Sequence, residues 1–243
     1  MMILKSAGYN IVFPRIDNLR RKAFEIEDHL NEYFTAANII PVPDIAPAEI
    51  PRISSTSHNG HSNLNISLTN AQIVTRFDND FSINSELSLK YVEDRVYKLT
   101  DLLKEYTRFY FSGLTTEIHF LSTDPISTII KNFTTQNADN NFYDVNCKFT
   151  SLIADKYYVN ISVGNERLYE GFANHEEEIV RLANMNLVEH LIKVTIDIND
   201  RHAFNSNKEY WSSVGEIQTI FEIIKDILNH KMERIISEGV IDL

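Results

Sequence analysis

The stretch "HNGHSNLNISLTNAQIVTRF", residues 58–77, decides how this chain folds. Within it Leu64, Ile66 and Leu68 alternate with Asn63, Asn65 and Ser67, the period-two pattern of a strand with one buried face. Asn59-Gly60 precedes this run and Thr69-Asn70 follows it. Both are tight-turn pairs, and Asn-Gly is the preferred type I′ dipeptide because both central residues of that turn take positive φ. Residues 52–77 therefore predict a three-strand antiparallel meander.

Toward the N-terminus, Tyr9 to Arg15 reads as a strand. Leu19, Ala23, Ile26, Leu30 and Phe34 follow at spacings of four and three, which predicts a helix with one buried face and Asp17 as its cap. Residues 39–51 hold four of the six prolines and must be an extended connector, because proline removes backbone donors and restricts the residue before it.

Toward the C-terminus, Val92, Val96, Leu99, Leu103 and Tyr106 predict a helix over 91–106, and "GLTTEIHFL" from Gly113 a strand. "YDVNCKFTSL", "KYYVNISV" and "ERLYEGF" read as three more strands, divided at Ala154-Asp155 and Gly164-Asn165. A short helix is expected from Asn174, with Glu177 closing a capping box, and "LIKVTIDI" is a strand. Three strands, a helix and a strand thus occur twice, which predicts an internal duplication. A second capping box, Ser213-Val214-Gly215-Glu216, opens a helix marked by Ile217, Phe221, Ile224, Leu228 and Ile235 to about Ser237.

The expected fold class is α+β, a mainly antiparallel curved sheet covered by amphipathic helices. One domain spans residues 1–243. It subdivides into 1–50 (strand, helix and Pro-rich connector), 51–135 (first repeat) and 136–243 (second repeat with terminal helix).

Composition narrows the function classes. The chain has 243 residues, 43% of them hydrophobic, enough to bury a core without staples, and the single Cys147 excludes an internal disulfide. A net charge of -11 and a pI near 5.2 disfavour extended nucleic-acid binding, which needs cationic surface to release counterions. "NLRRK" at 18–22 is the only dense basic cluster and reads as a solvated helix face. The opening apolar run is too short for a signal peptide, and no window approaches the roughly 18 apolar residues of a membrane span, so a soluble cytoplasmic protein is expected.

Few residues point to chemistry. His58 and His61 flank the Asn59-Gly60 turn, but zinc recruits three or four ligands and no further His or Cys lies nearby. Arg52 and His58 form an R-x5-H string similar to the dyad of helical HEPN ribonucleases, yet "ISSTS" between them is a strand pattern, not a helix. The densest constellation is "EHLIKVTIDINDRH", with Glu189, His190, Lys193, Asp197, Asp200, Arg201 and His202. Alternation places Glu189, Lys193 and Asp197 near one face and His190 with the aliphatics, while "NDRH" reads as a turn. Asp197, Asp200 and His202 could hold a divalent metal that activates water at a strand end, or Asp197 is merely solvent-facing. The phosphate-loop and serine-elbow motifs are absent, Cys147 reads as a small buried thiol, and Trp211 as a packing anchor. No cofactor is expected.

"LNISLTNAQIVTRF", the helix of 91–106, "LTTEIHF", "VTIDIND" and the terminal helix together resemble a sporadically distributed prokaryotic protein family, over most of residues 52–237. The resemblance implies an accessory cytosolic protein of mobile or defence-associated gene neighbourhoods, with no reaction attached. The expected function is non-enzymatic binding or regulation, as an antiphage-defence or toxin–antitoxin component whose partner is another protein or a second copy. The alternative is a metal-dependent hydrolase or nuclease using residues 197–202.

Overall fold

The computed structural model describes residues 1–43, 45–137, 141–170 and 185–243. The helix expected from Asn174 lies outside the described residues. The fold is α+β, an open antiparallel sheet of nine strands among the described residues. They are β1 (Met2–Val12), β2 (Asn38–Ile39), β3 (Ile53–Thr56), β4 (Ser62–Ile66), β5 (Asn70–Arg76), β6 (Phe111–Leu121), β7 (Asn146–Ile153), β8 (Tyr157–Glu170) and β9 (Asn186–Asn199). Their spatial order is β2-β3-β4-β5-β1-β6-β9-β8-β7.

That order has an internal symmetry. A strand, a helix, a three-strand meander and a helix occur twice: β1, α1 (Ala23–Leu30), β3 to β5 and, after the short α2 (Asn79–Ser82), α3 (Ser85–Leu103), then β6, α4 (Pro125–Phe133), β7 to β9 and α6 (Val214–Asp226). In each half the leading strand pairs with the last strand of its own meander, β1 with β5 and β6 with β9. The halves join where β1 pairs antiparallel with β6, from Val12 opposite Phe111 to Met2 opposite Phe120. The duplication expected from sequence has its phase shifted by one strand, since β6 opens the second unit instead of closing the first.

The helices cover one face. Leu4, Ala7, Tyr9 and Ile11 of β1, Leu114 and Ile118 of β6, and Val194, Ile196 and Ile198 of β9 are buried beneath α3 and α6. These helices meet the sheet through Val92, Val96 and Leu99 and through Ile217, Ile220, Phe221 and Ile224, in one continuous cluster. Each such side chain contributes about 1.5–3 kcal/mol by leaving water. The expected stripes are buried as read except at Tyr106, which is half-buried beyond the end of α3 at Leu103, and Tyr9 stacks on Phe221 at 6.3 Å between ring centroids.

Several local expectations are corrected. β1 starts at Met2, not Tyr9, because a register shift between Leu4 and Ser6 breaks the alternation that would have revealed it. The predicted first helix opens as a 3-10 turn, Leu19–Lys22, preceded by Asn18 in the left-handed region (φ 60°) with no side-chain cap, while the Asp17 carboxylate accepts from Arg15 Nε at 3.0 Å. At the first hairpin only Gly60 has positive φ (77°), and its N–H donates to Ser57 O at 2.8 Å, so the reversal is not type I′. Ala154 and Asp155, both at φ 51°, lead the three-residue turn of β7–β8, closed where Lys156 N donates to Ile153 O at 3.0 Å.

Gly164-Asn165 is not a turn. The two strands expected around it are one, β8, because Asn165 Oδ1 accepts from Val145 N at 2.8 Å. A Cβ on Gly164 would stand 3.1 Å from Val145 O, so the glycine admits a close approach. "DRH" does not remain a turn but starts α5 (Arg201–Ser206). The terminal helix is interrupted by a π-turn, Ile227–Lys231, before α7 (Met232–Glu238). Ser213 makes no side-chain cap there, since Glu216 is drawn instead to Lys156 Nζ at 2.9 Å and to the Tyr157 hydroxyl.

The connector is not extended throughout: Ala46 N donates to Pro43 O at 3.0 Å and Ile50 N to Pro47 O at 3.2 Å, closing turns, and side chains satisfy other carbonyls. Arg52 donates to Ile50 O at 2.6 Å, Ala46 O at 3.2 Å and Pro47 O at 3.3 Å. Arg20 donates to Ile40 O at 3.2 Å and to Val42 O. Guanidiniums thus supply donors that the proline-rich backbone lacks.

Candidate functional site

The face of the sheet opposite the helices carries polar side chains. Strand alternation sends Asn10, Gln72, Thr115, Asn160, Ser162, Thr195 and Asp197 to it, and cross-strand register places them in rows: Asn10 opposite Gln72, Thr115 opposite Asp197, Asn160 opposite Asp197, Ser162 opposite Thr195.

The predicted metal trio is distributed by that same alternation. Asp197 faces the open side, where it accepts from Thr115 Oγ1 at 3.0 Å, Asn160 Nδ2 at 2.9 Å and Asn199 Nδ2 at 2.9 Å. Asp200 turns to the helix-covered side and is fully buried, accepting from Ser112 N at 2.6 Å and the Tyr210 hydroxyl at 2.7 Å. Burial pushes the Asp200 carboxyl above its ordinary pKa, against the hydrogen bonds that favour its charged form. His202 lies with its Nδ1 3.0 Å from the Tyr158 hydroxyl and its Nε2 3.2 Å from Ser206 Oγ. Asp197 and Asp200 therefore occupy opposite sides of the sheet, and the three side chains do not share a centre.

The hairpin histidines diverge as well. His58 Nε2 lies 2.8 Å from Asn31 O, whereas the His61 ring packs against Phe81 and Tyr91. His190 sits 3.3 Å from Asn165 Nδ2, and Glu189 is exposed. Cys147, on β7, is half-buried against the core, and burial pushes its thiol pKa up. Trp211 stacks on Tyr110 at 5.4 Å and keeps 37% of its surface exposed.

The structure does assemble one charged cluster on the open face, from Lys193 and three residues the sequence reading passed over. Glu117 and His119 lie two apart on β6, Glu166 on β8 and Lys193 on β9 between them. His119 Nε2 is 3.1 Å from Glu117 Oε1 and 3.1 Å from Glu166 Oε2. Lys193 Nζ lies 2.8 Å from Glu117 Oε2 and 3.1 Å from Glu166 Oε1. "TEIHF" carries the signal that would have found half of it, because i and i+2 on a strand share a face. Glu166 and Lys193 become neighbours only through the register that sets Gly164 opposite Lys193.

Electrostatics close this cluster. Burial opposes ionisation of Glu117, yet Lys193 and His119 hold its pKa below the usual value. Burial likewise opposes the Lys193 charge, and the two carboxylates outweigh it. Burial lowers the His119 pKa against the pull of Glu166 and Glu117, so its contacts at neutral pH are those of a neutral imidazole. With two carboxylates as neighbours, Nε2 is the nitrogen that carries the proton.

Glu117, His119 and Glu166 offer ligand atoms within 4.8 Å of one another, the only such group among the described residues. Two carboxylates and an imidazole form a donor set acceptable to zinc or manganese, but the Lys193 ammonium already supplies positive charge between them. Beside Lys193 a hollow of about 330 Å³ opens over Gly164, lined also by Asn146, Ser162 and Thr195. Among the described residues, no helix is long and apolar enough to cross a membrane. In comparisons with known proteins, no family model and no curated protein matches this chain.

Proposed function

We propose that this chain is a non-catalytic cytosolic binding or regulatory protein that engages another protein, or a second copy of itself, by strand pairing at the β7 edge. The observation that carries the reading is the contrast between the two edges of the sheet. β2 is two residues long and continues into the proline-rich connector, both of which blunt an edge. β7 is eight residues long, contains no proline, carries one charge at Lys148 and is the last strand of the sheet among the described residues. An unblunted edge of that length is a template for an added strand. The net charge of -11 suits a basic partner, and occlusion of a toxin or nuclease in an antiphage-defence or toxin–antitoxin setting is the process we favour.

The test is a pair of lysine substitutions on β7, Thr150→Lys and Leu152→Lys. Both positions are exposed, so folding should be preserved. The variants should lose self-association in light scattering, or lose the protein recovered with the wild type from its native host. A wild-type monomer with no partner, or association indifferent to both substitutions, would count against the proposal.

A second reading, metal-dependent hydrolysis, is favoured by the Glu117, His119 and Glu166 group rather than by residues 197–202. Metal analysis of the purified chain, alone and after Glu166→Gln, tests it. A content of metal unaffected by the substitution would remove this reading.

A further inference from the structure

The proline-rich connector turns apolar side chains to solvent. Ile39, Pro41, Pro43, Ile45, Pro47 and Glu49 are exposed, in alternation with half-buried residues. Ile45 is 97% exposed, more than any other large hydrophobic side chain among the described residues. Glu49 makes no ion pair among the described residues, and positions 39–51 contain no Lys or Arg. The inner side of the segment is tied down by its two turns and by the guanidinium bonds to its carbonyls, so the exposed ridge is fixed before anything covers it. A preset apolar ridge gives up little entropy on docking, and a contiguous apolar surface of this kind marks an interaction site.

A complementary surface is built where β6 begins. Trp211 stacks on Tyr110 at 5.4 Å, Tyr110 packs against Phe204 at 5.2 Å, and Phe204 against Phe111 at 5.5 Å. A guanidinium stands at each end of this aromatic row, Arg108 over Trp211 and Arg201 over Phe111, both 5.4 Å from the ring centroid. All four rings keep part of their surface in solvent. Both arginines are exposed and neither makes an ion pair among the described residues. On the segment before Trp211, exposed Lys208 and Glu209 offset one another in charge. Rigid prolines dock on aromatic surfaces, and a guanidinium held flat against a ring presents its fork to a carboxylate. The connector offers both, in its prolines and in Glu49.

We propose that the aromatic row is the docking surface for the proline-rich connector of a second copy of this chain. The two surfaces lie at the same end of the sheet. Where β1 ends, Tyr110 N donates to Val12 O at 2.8 Å; just beyond, Ile16 N donates to Leu68 O at 2.8 Å, and Leu68 N donates to Ala48 O of the connector at 3.0 Å. A two-fold axis passing that end brings each connector to the other copy's row, so the contact forms twice in one closed dimer. None of its residues belongs to β7, and the contact does not depend on strand pairing there.

Trp211 is the chain's only tryptophan, so its fluorescence reads this surface directly. The test follows sedimentation velocity and Trp211 emission of the full chain over one concentration series. Association should set in at the concentration where the emission changes. Ile45→Lys, and separately Arg108→Glu combined with Arg201→Glu, should each weaken association by about tenfold or more, through a lost apolar contact in the first and lost charge-assisted contacts in the second. All three side chains are exposed, so the melting temperatures should hold. A mixture of the two variants should associate more tightly than either alone, because one keeps the aromatic row and the other keeps the connector. Thr150→Lys, at the β7 edge, should leave the emission change in place. A monomer at every concentration, association with no change at Trp211, or a mixture no tighter than its components would each overturn the proposal. Association lost in Thr150→Lys and indifferent to Ile45→Lys would also overturn it, and would assign the contact to β7.

Discussion

The Asp200 carboxylate accepts the backbone N–H of Ser112 at 2.6 Å, joining residues 88 apart in sequence at the ends of β9 and β6. The Tyr210 hydroxyl donates to its second oxygen at 2.7 Å, which ties in the segment that leads to α6. A carboxylate read from sequence as a possible metal ligand is instead a clamp between the second half's leading strand and its last helix.

Asp200→Ala leaves the Ser112 amide without its side-chain acceptor in a buried place, and should destabilise by about 1–3 kcal/mol in urea unfolding. The pH dependence follows from the raised pKa. The folded chain holds this proton more tightly than the unfolded chain, so the group's contribution is full below the ordinary carboxylate pKa and is lost as pH rises through the folded value. The stability of the wild type relative to Asp200→Asn should therefore decline from acid toward neutral pH. A constant difference would show that burial does not perturb this carboxyl.

His119 has the opposite dependence. Burial lowers its folded pKa, so its contribution is present above the ordinary imidazole pKa and is lost as pH falls through the lowered folded value. Between about pH 7.5 and about pH 5, the wild type should lose more stability than His119→Gln. Parallel curves for the two proteins would contradict the neutral imidazole.

Removing the ammonium from the open-face cluster should uncover its donor set. Lys193→Met takes away the cation 2.8 Å from Glu117 and 3.1 Å from Glu166, leaving two carboxylates and an imidazole together. Zinc affinity of the variant should exceed that of the wild type by about tenfold, the equivalent of about 1.4 kcal/mol. Calorimetric titration with zinc reads this directly, and unchanged affinity would mean that Lys193 is not what occupies the site.

Gly239 should tolerate no side chain. It closes α7 at φ 68°, and a Cβ there would lie 1.9 Å from Asn132 O at the end of α4. Gly239→Ala combines left-handed strain with collision against backbone, which must separate α4 from α7. A loss beyond about 1 kcal/mol, the usual strain alone, is expected in thermal unfolding. Gly60→Ala has the strain (φ 77°) without the collision and should cost less.

The meander of residues 52–77 and the stripes of α3 and α6 were legible because one face of each is buried and the other solvated, so periodicity survives in the sequence. The start of β1 was hidden by its register shift, and the unity of β8 by a Gly-Asn pair that makes a cross-strand contact in place of a turn. The candidate site was the least legible part. Asp197 and Asp200 are neighbours in sequence that point to opposite faces, whereas Glu166 and Lys193 are brought together only by the register of β8 and β9. Sequence proximity overstated the first association and concealed the second.

The place of β1 at the centre of the sheet bears on how the chain is made. It precedes both of its neighbours along the chain, β5, ending at Arg76, and β6, ending at Leu121. Its β5 side can pair once the chain through Arg76 is made, but its other side stays bare until β6 follows, so a nascent chain halted before Phe111 would expose the hydrogen-bonding groups that later form the sheet's midline.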